Sequence, residues 1–252
     1  MVQREVLLNR LNEWLQPELV RDYCPNGLQV EGRNEIKRIL CGVTATQALV
    51  DRAVEVNADA VLVHHGYFWK SENPSIVGMK KRRLATLLAN DVNLIAYHLP
   101  LDIHPEFGNN AGLAKKLGLI VEGQHTAAGT PNLLWYGKLP NPMTVSQLNE
   151  HVSHCLSRAP LIVSGGRENL ETVAWCTGGA QGFIDNAADL GVDVYISGEI
   201  SEQTTHSARE QAVTYVAAGH HATERYGVQL LGEAIREEFG IVVDYFELSN
   251  PA

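Results

Sequence analysis

The stretch DAVLVHHGYFW (residues 59–69) contains a short apolar run that ends on two adjacent histidines, His64 and His65. A run of this length, rich in valine and followed by glycine, favours a buried β-strand. Similar runs and amphipathic stretches alternate on both sides of it: IKRILCGV (36–43), TQALVDRAVEV (46–56), RLATLLAN (83–90), NLIAYHL (93–99) and NNAGLAKKLGL (109–119). The order strand, helix, strand, helix, strand, helix predicts a largely parallel sheet with helices on its faces.

The same alternation of strand-like and helix-like runs returns in the last third of the chain. Its strand-like and helix-like runs are TVAWCTG (172–178), GFIDNAADL (182–190), DVYISGE (193–199), HSAREQ (206–211), VTYVAAGHH (213–221), VQLLGEAIREEF (228–239) and IVVDYFEL (241–248). Before the first run, the spacing of REVLLNRLNEWL (4–15) predicts a helix that Pro17 ends, and CPNGLQVEG (24–32) reads as a loop.

The two runs are related by an internal repeat. VDRAVEVNADAVLVHH aligns with FIDNAADLGVDVYISGE, which pairs Asp59 with Asp193, and IAYHLPLD aligns with VAAGHHATE. The second alignment places His98 on His220 and Asp102 on Glu224, with the same four-residue step in each. The sequence therefore predicts an α/β fold of two related βα half-domains with largely parallel sheets around a central metal site. The predicted division is a first half (1–119), a small α/β insertion (120–170) rimmed by glycine and proline, and a second half (171–252).

Composition excludes several classes of protein. No apolar run reaches the roughly 18 residues of a membrane-spanning helix, and the N-terminus is charged where a signal peptide would be apolar, so we expect a cytoplasmic protein without a membrane partner. The formal net charge of -9 argues against nucleic-acid binding by bulk electrostatics, although Lys80 to Arg83 form one dense cationic run. The four cysteines form no C-x-x-C pair, which indicates buried free thiols.

Histidines concentrate where three predicted strands end. Six of the ten lie there: His64, His65, His98, His104, His220 and His221. Two carboxylates, Asp102 and Glu224, join them, and the carboxyl ends of strands in α/β sheets are where ligands gather. Several imidazoles with two carboxylates suit zinc, manganese, iron or nickel. The ligand count favours two divalent ions over one, although each residue also has a structural alternative, such as a capping histidine or an acid at a helix N-terminus.

Other candidates carry weaker signals. The segment TGGAQG (177–182) could present backbone N–H groups to a phosphate, but it lacks the spacing and the lysine of a Walker loop. Ser201 and His206 have no strand-turn-helix elbow around them, which gives a serine hydrolase little support. Glu199 matches His65 in the repeat and is a candidate for the edge of the same cleft.

The chain contains the motifs PNGLQVEG, GVTA, ADAVLVHHGYFW, HLPLD, GNN, AWCTGG, ISGE and GHHATER. Through them it resembles, over essentially its whole length, the NIF-three-like dinuclear metal-centre family of GTP cyclohydrolase 1 type 2 homologs. The resemblance is to its short bacterial members. It implies that the metal ligands are His64, His65, Asp102, His220 and Glu224, and that the subunits form a toroidal homohexamer.

Three functions are compatible with this pattern. The leading hypothesis is a metal-dependent hydrolase that opens the guanine imidazole ring of a nucleotide, as GTP cyclohydrolase does, with His98 as the proton shuttle. Alternatively, and with equal support from the sequence, His98 orients the carboxylate of Asp102. The other two functions are a phosphoesterase or hydrolase of damaged nucleotides, and a ring-shaped metal- or nucleic-acid-binding protein without catalysis.

Overall fold

The computed structural model describes all residues from 1 to 252. The strands are β1 (Val2–Gln3), β2 (Gly27–Val30), β3 (Glu35–Ile36), β4 (Arg38–Thr44), β5 (Ala60–His65), β6 (Asn93–Ala96), β7 (Ile120–Ala127), β8 (Thr130–Met143), β9 (Leu161–Val163), β10 (Leu170–Trp175), β11 (Val194–Ser197), β12 (Thr214–Ala217) and β13 (Val242–Tyr245). The α-helices are α1 (Arg4–Leu15), α2 (Gln47–Glu55), α3 (Gly78–Ala89), α4 (Leu99–Ile103), α5 (Asn109–Leu117), α6 (Val145–Leu156), α7 (Ile184–Asp189), α8 (Glu202–Glu210) and α9 (His220–Phe239), with short 3-10 turns at Pro17–Leu19 and Gln181–Phe183.

The first compact unit comprises residues 1–108 and 227–249. Its main sheet has the order β13-β4-β5-β6-β2, in which the first four strands are parallel and β2 is antiparallel. Alternate side chains of these strands pack on opposite faces, as the pleat requires. Ile39, Leu62 and Ile95 pack with apolar residues of α1 and α9, whereas Val61 and Leu94 pack with those of α2 and α3.

The second unit comprises residues 109–226 and 250–252. Its sheet has the order β7-β8-β10-β11-β12-β9, with a parallel centre of β10, β11 and β12 and antiparallel strands on both sides. Trp175, Ile196 and Val216 from this centre pack against residues of α5 and α6. The predicted α/β class is therefore confirmed: the first sheet is largely parallel, and the second is mixed with a parallel centre.

Asp59 and Asp193 show how closely the two βα halves repeat. Each carboxylate is buried and accepts hydrogen bonds from two consecutive backbone N–H groups, those of residues 37–38 and 171–172, at 2.7–3.0 Å. Their arginine partners are Arg33 and Arg167. Charge-assisted bonds of this kind hold the start of one strand (β4 or β10) to the residue just before the neighbouring parallel strand (β5 or β11). The alignment that paired these aspartates thus corresponds to equivalent positions in the two sheets.

Two local predictions were wrong. The predicted loop 24–32 contains β2, which pairs antiparallel with β6 and covers that edge of the sheet. The last helix begins at His220 rather than near Val228, so that both of its first two residues are histidines. The prolines at 131, 140 and 142, which rim the predicted insertion, lie within β8. The pairing of β8 with β7 extends only to Lys138. Pro140 and Pro142 therefore lie where that side of β8 has no neighbouring strand, so their lack of a backbone N–H costs no hydrogen bond there.

The segment 120–170 contributes β7, β8 and β9 to the second sheet. The bounds of the compact units therefore differ from the three-part division given above, which stays a prediction. No disulfide links the four cysteines, and three of them are buried. None of the helices is long and apolar enough to cross a membrane.

Candidate metal centre

His64 and His65 close strand β5, where the following Gly66 ends the pairing as predicted. The Nδ1 atom of His64 lies 3.0 Å from the carbonyl oxygen of Tyr97, and that of His65 lies 3.1 Å from Oγ1 of Thr44. Because a carbonyl oxygen only accepts, Nδ1 of His64 carries a proton, and in the neutral ring the lone pair is on Nε2. The two ring centroids are 4.5 Å apart, so both imidazoles lie close enough to contribute to one site.

Asp102 lies in the short helix α4, which follows the neighbouring strand β6. Its side chain is buried, and its Oδ1 atom lies 3.5 Å from Nε2 of His64. When the His64 ring is neutral, a carboxylate oxygen therefore faces a nitrogen lone pair inside the protein. Such a pairing is favourable when a cation is shared between the two atoms, which is the arrangement of two metal ligands.

His98 stands beside these residues. Its ring centroid lies 5.0 Å from that of His64 and 5.8 Å from that of His65, and one nitrogen of each of the three rings falls within 4.8 Å of the others. Trp69 packs edge-on against His98 at 5.0 Å. The first unit therefore brings three imidazoles and one carboxylate together at the carboxyl ends of two adjacent strands.

Asp22, which sequence reasoning missed, holds His98 in place. Its Oδ1 atom lies 2.7 Å from Nδ1 of His98. The other groups around the carboxylate are all donors: the backbone N–H groups of Tyr23 and Leu99, and the amide of Asn26. Burial alone would raise the pKa of Asp22, but the hydrogen bond and charge of His98 outweigh it and lower that pKa to about 2. Asp22 is therefore an ionised acceptor at neutral pH.

The second unit contributes a smaller donor set. Nε2 of His220 lies 3.0 Å from Oε2 of the buried Glu224 one helical turn later, and its Nδ1 lies 2.7 Å from Oε1 of Glu199. Burial opposes the charged form of His220, yet the hydrogen bonds and charges of Glu224 and Glu199 raise its pKa to about 9. Two carboxylates on one imidazole create a position that favours a cation over a neutral group.

Gly178 leaves room for this donor set. It has a positive φ of 69°, and a Cβ atom there would overlap Oε1 of Glu224 and lie 3.2 Å from Nε2 of His220. The separation of 3.0 Å between that nitrogen and Oε2 also suits two ligands of one ion, each bonded at roughly 2.0–2.2 Å. The residues present therefore fit divalent metal ions by donor chemistry, by spacing and by the space that glycine provides.

The remaining histidines near these strands have other surroundings. Nδ1 of His104 accepts hydrogen bonds from the backbone N–H groups of Glu106 and Phe107, and its ring stacks on Phe107 with centroids 4.5 Å apart. His104 is thus a turn residue. The backbone N–H of His221 donates to the carbonyl oxygen of Ala252. We predict that its side chain points away from the proposed metals.

The weaker candidates gain little support. The segment 177–182 lies beside Glu199 and Glu224, whose negative charges disfavour a phosphate. Within the cationic run, Lys80 pairs with Glu72 at 3.3 Å and lies over the ring of Phe68, and Arg83 lies over the ring of Tyr67. Two of the four cations are therefore engaged within their own unit.

Comparisons with known proteins agree over the whole chain. The model of the family described as Duf34/NIF3 (NGG1p interacting factor 3) matches residues 2–251. A Pseudomonas aeruginosa PAO1 protein named "GTP cyclohydrolase 1 type 2 homolog" is 54% identical over 246 residues, which cover 98% of this chain and 97% of that protein.

Solved structures give the same result. The structure described as "Structural genomics, protein ybgI, unknown function" has a TM-score of 0.96 and 51% identity, and it covers both chains completely. TTHA1606 from Thermus thermophilus has a TM-score of 0.89 and 31% identity, again with complete coverage of both chains. The resemblance inferred from the motifs is confirmed.

Proposed function

Since this chain belongs to the Duf34/NIF3 family, we propose that it is a dinuclear metal-dependent hydrolase of a nucleotide, with a GTP cyclohydrolase-like opening of the guanine imidazole ring. The proposed ligands are His64, His65, Asp102, His220 and Glu224, which together hold two divalent ions of zinc, iron, manganese or nickel. The relatives' shared name supports the reaction class. The observation that carries the proposal is the donor set of the first unit, in which imidazole nitrogens and a buried carboxylate converge.

Two bound cations would supply a water-derived nucleophile at neutral pH and polarise the bond under attack. Ring opening also requires that a proton reach the leaving nitrogen. His98 is the proposed shuttle, because it lies beside His64 and His65, is outside the proposed ligand set and has its Nδ1 held by Asp22. Its Nε2 atom remains for exchange of the proton with the substrate.

The test loads the purified protein with each of the four metals, adds GTP and follows formate release. We expect turnover with at least one metal, and absence of formate with all four would refute the proposal. Release of phosphate without formate would favour the phosphoesterase instead.

Matched histidine variants assign the roles. His98→Ala should slow formate release by about 10²–10⁴-fold with unchanged metal content, as expected for loss of a general acid or base. His206→Ala is the control, because His206 is exposed on α8 and pairs only with Glu202 within that helix. Asp102→Asn should lower both activity and metal content. Equal rates for the two histidine variants would exclude His98 as the shuttle.

Assembly and location belong to the same proposal. We propose a toroidal homohexamer in the cytoplasm, by analogy with the family pattern. Light scattering should give a mass of about six subunits. A monomer at micromolar concentration would exclude the ring.

A further inference from the structure

Each half of the repeat contains a carboxylate that contacts Nδ1 of a histidine. In the first unit Asp22 lies 2.7 Å from Nδ1 of His98, and in the second Glu199 lies 2.7 Å from Nδ1 of His220. The two histidines are paired by the repeat, and each stands at the start of the helix that follows a parallel strand, β6 in the first unit and β12 in the second. The two carboxylates, in contrast, come from unrelated positions in the sequence.

The chemistry of Asp22 fixes which nitrogen of His98 is protonated. An ionised carboxylate only accepts hydrogen bonds, so a bond at 2.7 Å requires the proton on Nδ1. The neutral ring then has its lone pair on Nε2. Three further donors hold both oxygens of Asp22, and the carboxylate cannot turn away without breaking bonds to Tyr23, Leu99 or Asn26.

Glu199 has the same relation to His220. The Nδ1 proton points to Oε1 of Glu199, and Nε2 faces Oε2 of Glu224 at 3.0 Å. The backbone oxygen of Glu199 also accepts a hydrogen bond from the hydroxyl of the buried Tyr215, which anchors the loop that carries this carboxylate. A cation at Nε2 would displace the proton that this nitrogen shares with Glu224, whereas the Nδ1 proton would stay with Glu199. In both units, therefore, Nε2 is the nitrogen that can face a metal or a substrate.

We propose that Asp22 and Glu199 are positioning residues with one shared task, which is to fix His98 and His220 with Nδ1 protonated so that each presents Nε2 to the metal centre. The inference rests on the metal site proposed above but is independent of nucleotide hydrolysis. A carboxylate behind a metal-ligating histidine typically strengthens metal affinity by about 10–100-fold. For His98 the same pairing makes Nε2 the atom that receives a proton.

A matched pair of variants in the second unit tests the role of Glu199. Glu199→Gln keeps the shape and removes the obligate acceptor, and Glu202→Gln removes the carboxylate of an exposed pair with His206. We expect zinc affinity, measured by competition with a chelator, to fall by about 10–100-fold in Glu199→Gln and to stay unchanged in Glu202→Gln. Thermal melts of the metal-free protein should show that both variants remain folded. Equal zinc affinities in the two variants would overturn the inference for Glu199.

The tautomer of His98 tests Asp22 without a metal. Nitrogen NMR of metal-free protein labelled with ¹⁵N-histidine, recorded at about pH 8.5 where an ordinary imidazole is neutral, distinguishes the two tautomers. His98→Ala identifies the resonances. We expect protonated Nδ1 and unprotonated Nε2 in the wild type, and a loss of this preference in Asp22→Asn.

The wild-type spectrum alone decides if Asp22→Asn does not fold, because a proton on Nε2 of His98 would overturn the inference. If the wild type takes up no metal, the proposed function fails. The tautomer measurement still gives its own answer.

Discussion

The substitution Gly178→Ala should perturb the proposed metal centre through a single methyl group. The added Cβ would overlap Oε1 of Glu224 and lie 2.9 Å from its Cδ, whereas ordinary contact begins at 3.4 Å. Glu224 is buried, so its carboxylate can move only within the packed surroundings of α9. The carboxyl group must therefore leave the position in which Oε2 lies 3.0 Å from Nε2 of His220.

The effects of Gly178→Ala on stability and on metal binding should differ in size. An alanine with φ near 69° costs roughly 1–2 kcal/mol in the free energy of unfolding, which lowers the melting temperature by roughly 2–8 °C. Metal–ligand distances tolerate only about 0.2 Å. A displacement of Glu224 by more than this should remove its bond to the metal. We expect most of the metal that depends on Glu224 to be lost while the fold remains.

Two control variants in the same unit separate the causes. Gly191→Ala has a similar positive φ of 73° with no atom within 4 Å of the new Cβ, and it measures backbone strain alone. Gly182→Ala lies in the same segment as Gly178, and its Cβ also meets no atom within 4 Å. Elemental analysis and thermal melts of all three variants form the assay. Metal content in Gly178→Ala equal to that in Gly191→Ala would refute the reasoning.

Three further predictions concern individual carboxylates. Glu224→Gln should lower metal content by elemental analysis more than His221→Ala, because a neutral amide is a poor metal ligand; equal losses would contradict the ligand assignment. Asp59→Asn and Asp193→Asn should each lower the free energy of unfolding in urea by about 2–4 kcal/mol, since each removes charge-assisted bonds to two backbone N–H groups, and strongly unequal values would argue against equivalent roles. The pKa of Asp22 is lowered from 3.8 to about 2, so it should contribute about 2 kcal/mol of stability above pH 3.8 that is lost as the pH falls towards 2. Acid unfolding of the wild type against Asp22→Asn measures this contribution, and a difference that does not shrink over that range would contradict it.

The pattern of apolar residues and glycines along the sequence predicted the parts of the candidate site that lie at strand ends. The alternation around DAVLVHH indicates a strand, and a glycine after two histidines indicates where that strand stops, so His64 and His65 could be placed together from sequence. The repeat similarly anticipated the equivalent surroundings of Asp59 and Asp193. Both inferences depend on neighbours in sequence or on an alignment within the chain.

Long-range pairing explains what sequence reasoning missed. Asp22 meets His98 across 76 residues, and nothing in DYCPNG distinguishes its carboxylate from that of a surface loop. The strand β2 was missed for the same reason, because its pairing with β6 depends on a distant partner rather than on its own composition. The start of α9 was predicted too late because GHH (219–221) contains no apolar residue that would indicate a helix, and the helical pattern becomes clear only at the apolar residues from Val228 on.

The two halves use one backbone frame with different donor groups. The alignment that pairs His65 with Glu199 also pairs His64 with Gly198, so the second half has a glycine and an acid where the first has two imidazoles. The first unit consequently presents three imidazoles and one carboxylate, whereas the second surrounds one imidazole with two carboxylates. A nitrogen-rich set favours zinc, nickel or iron, and a carboxylate-rich set also accepts manganese. The duplicated frame therefore explains why the proposed ligands lie at equivalent strand ends, and we expect the residues that differ between the halves to affect which metal is preferred.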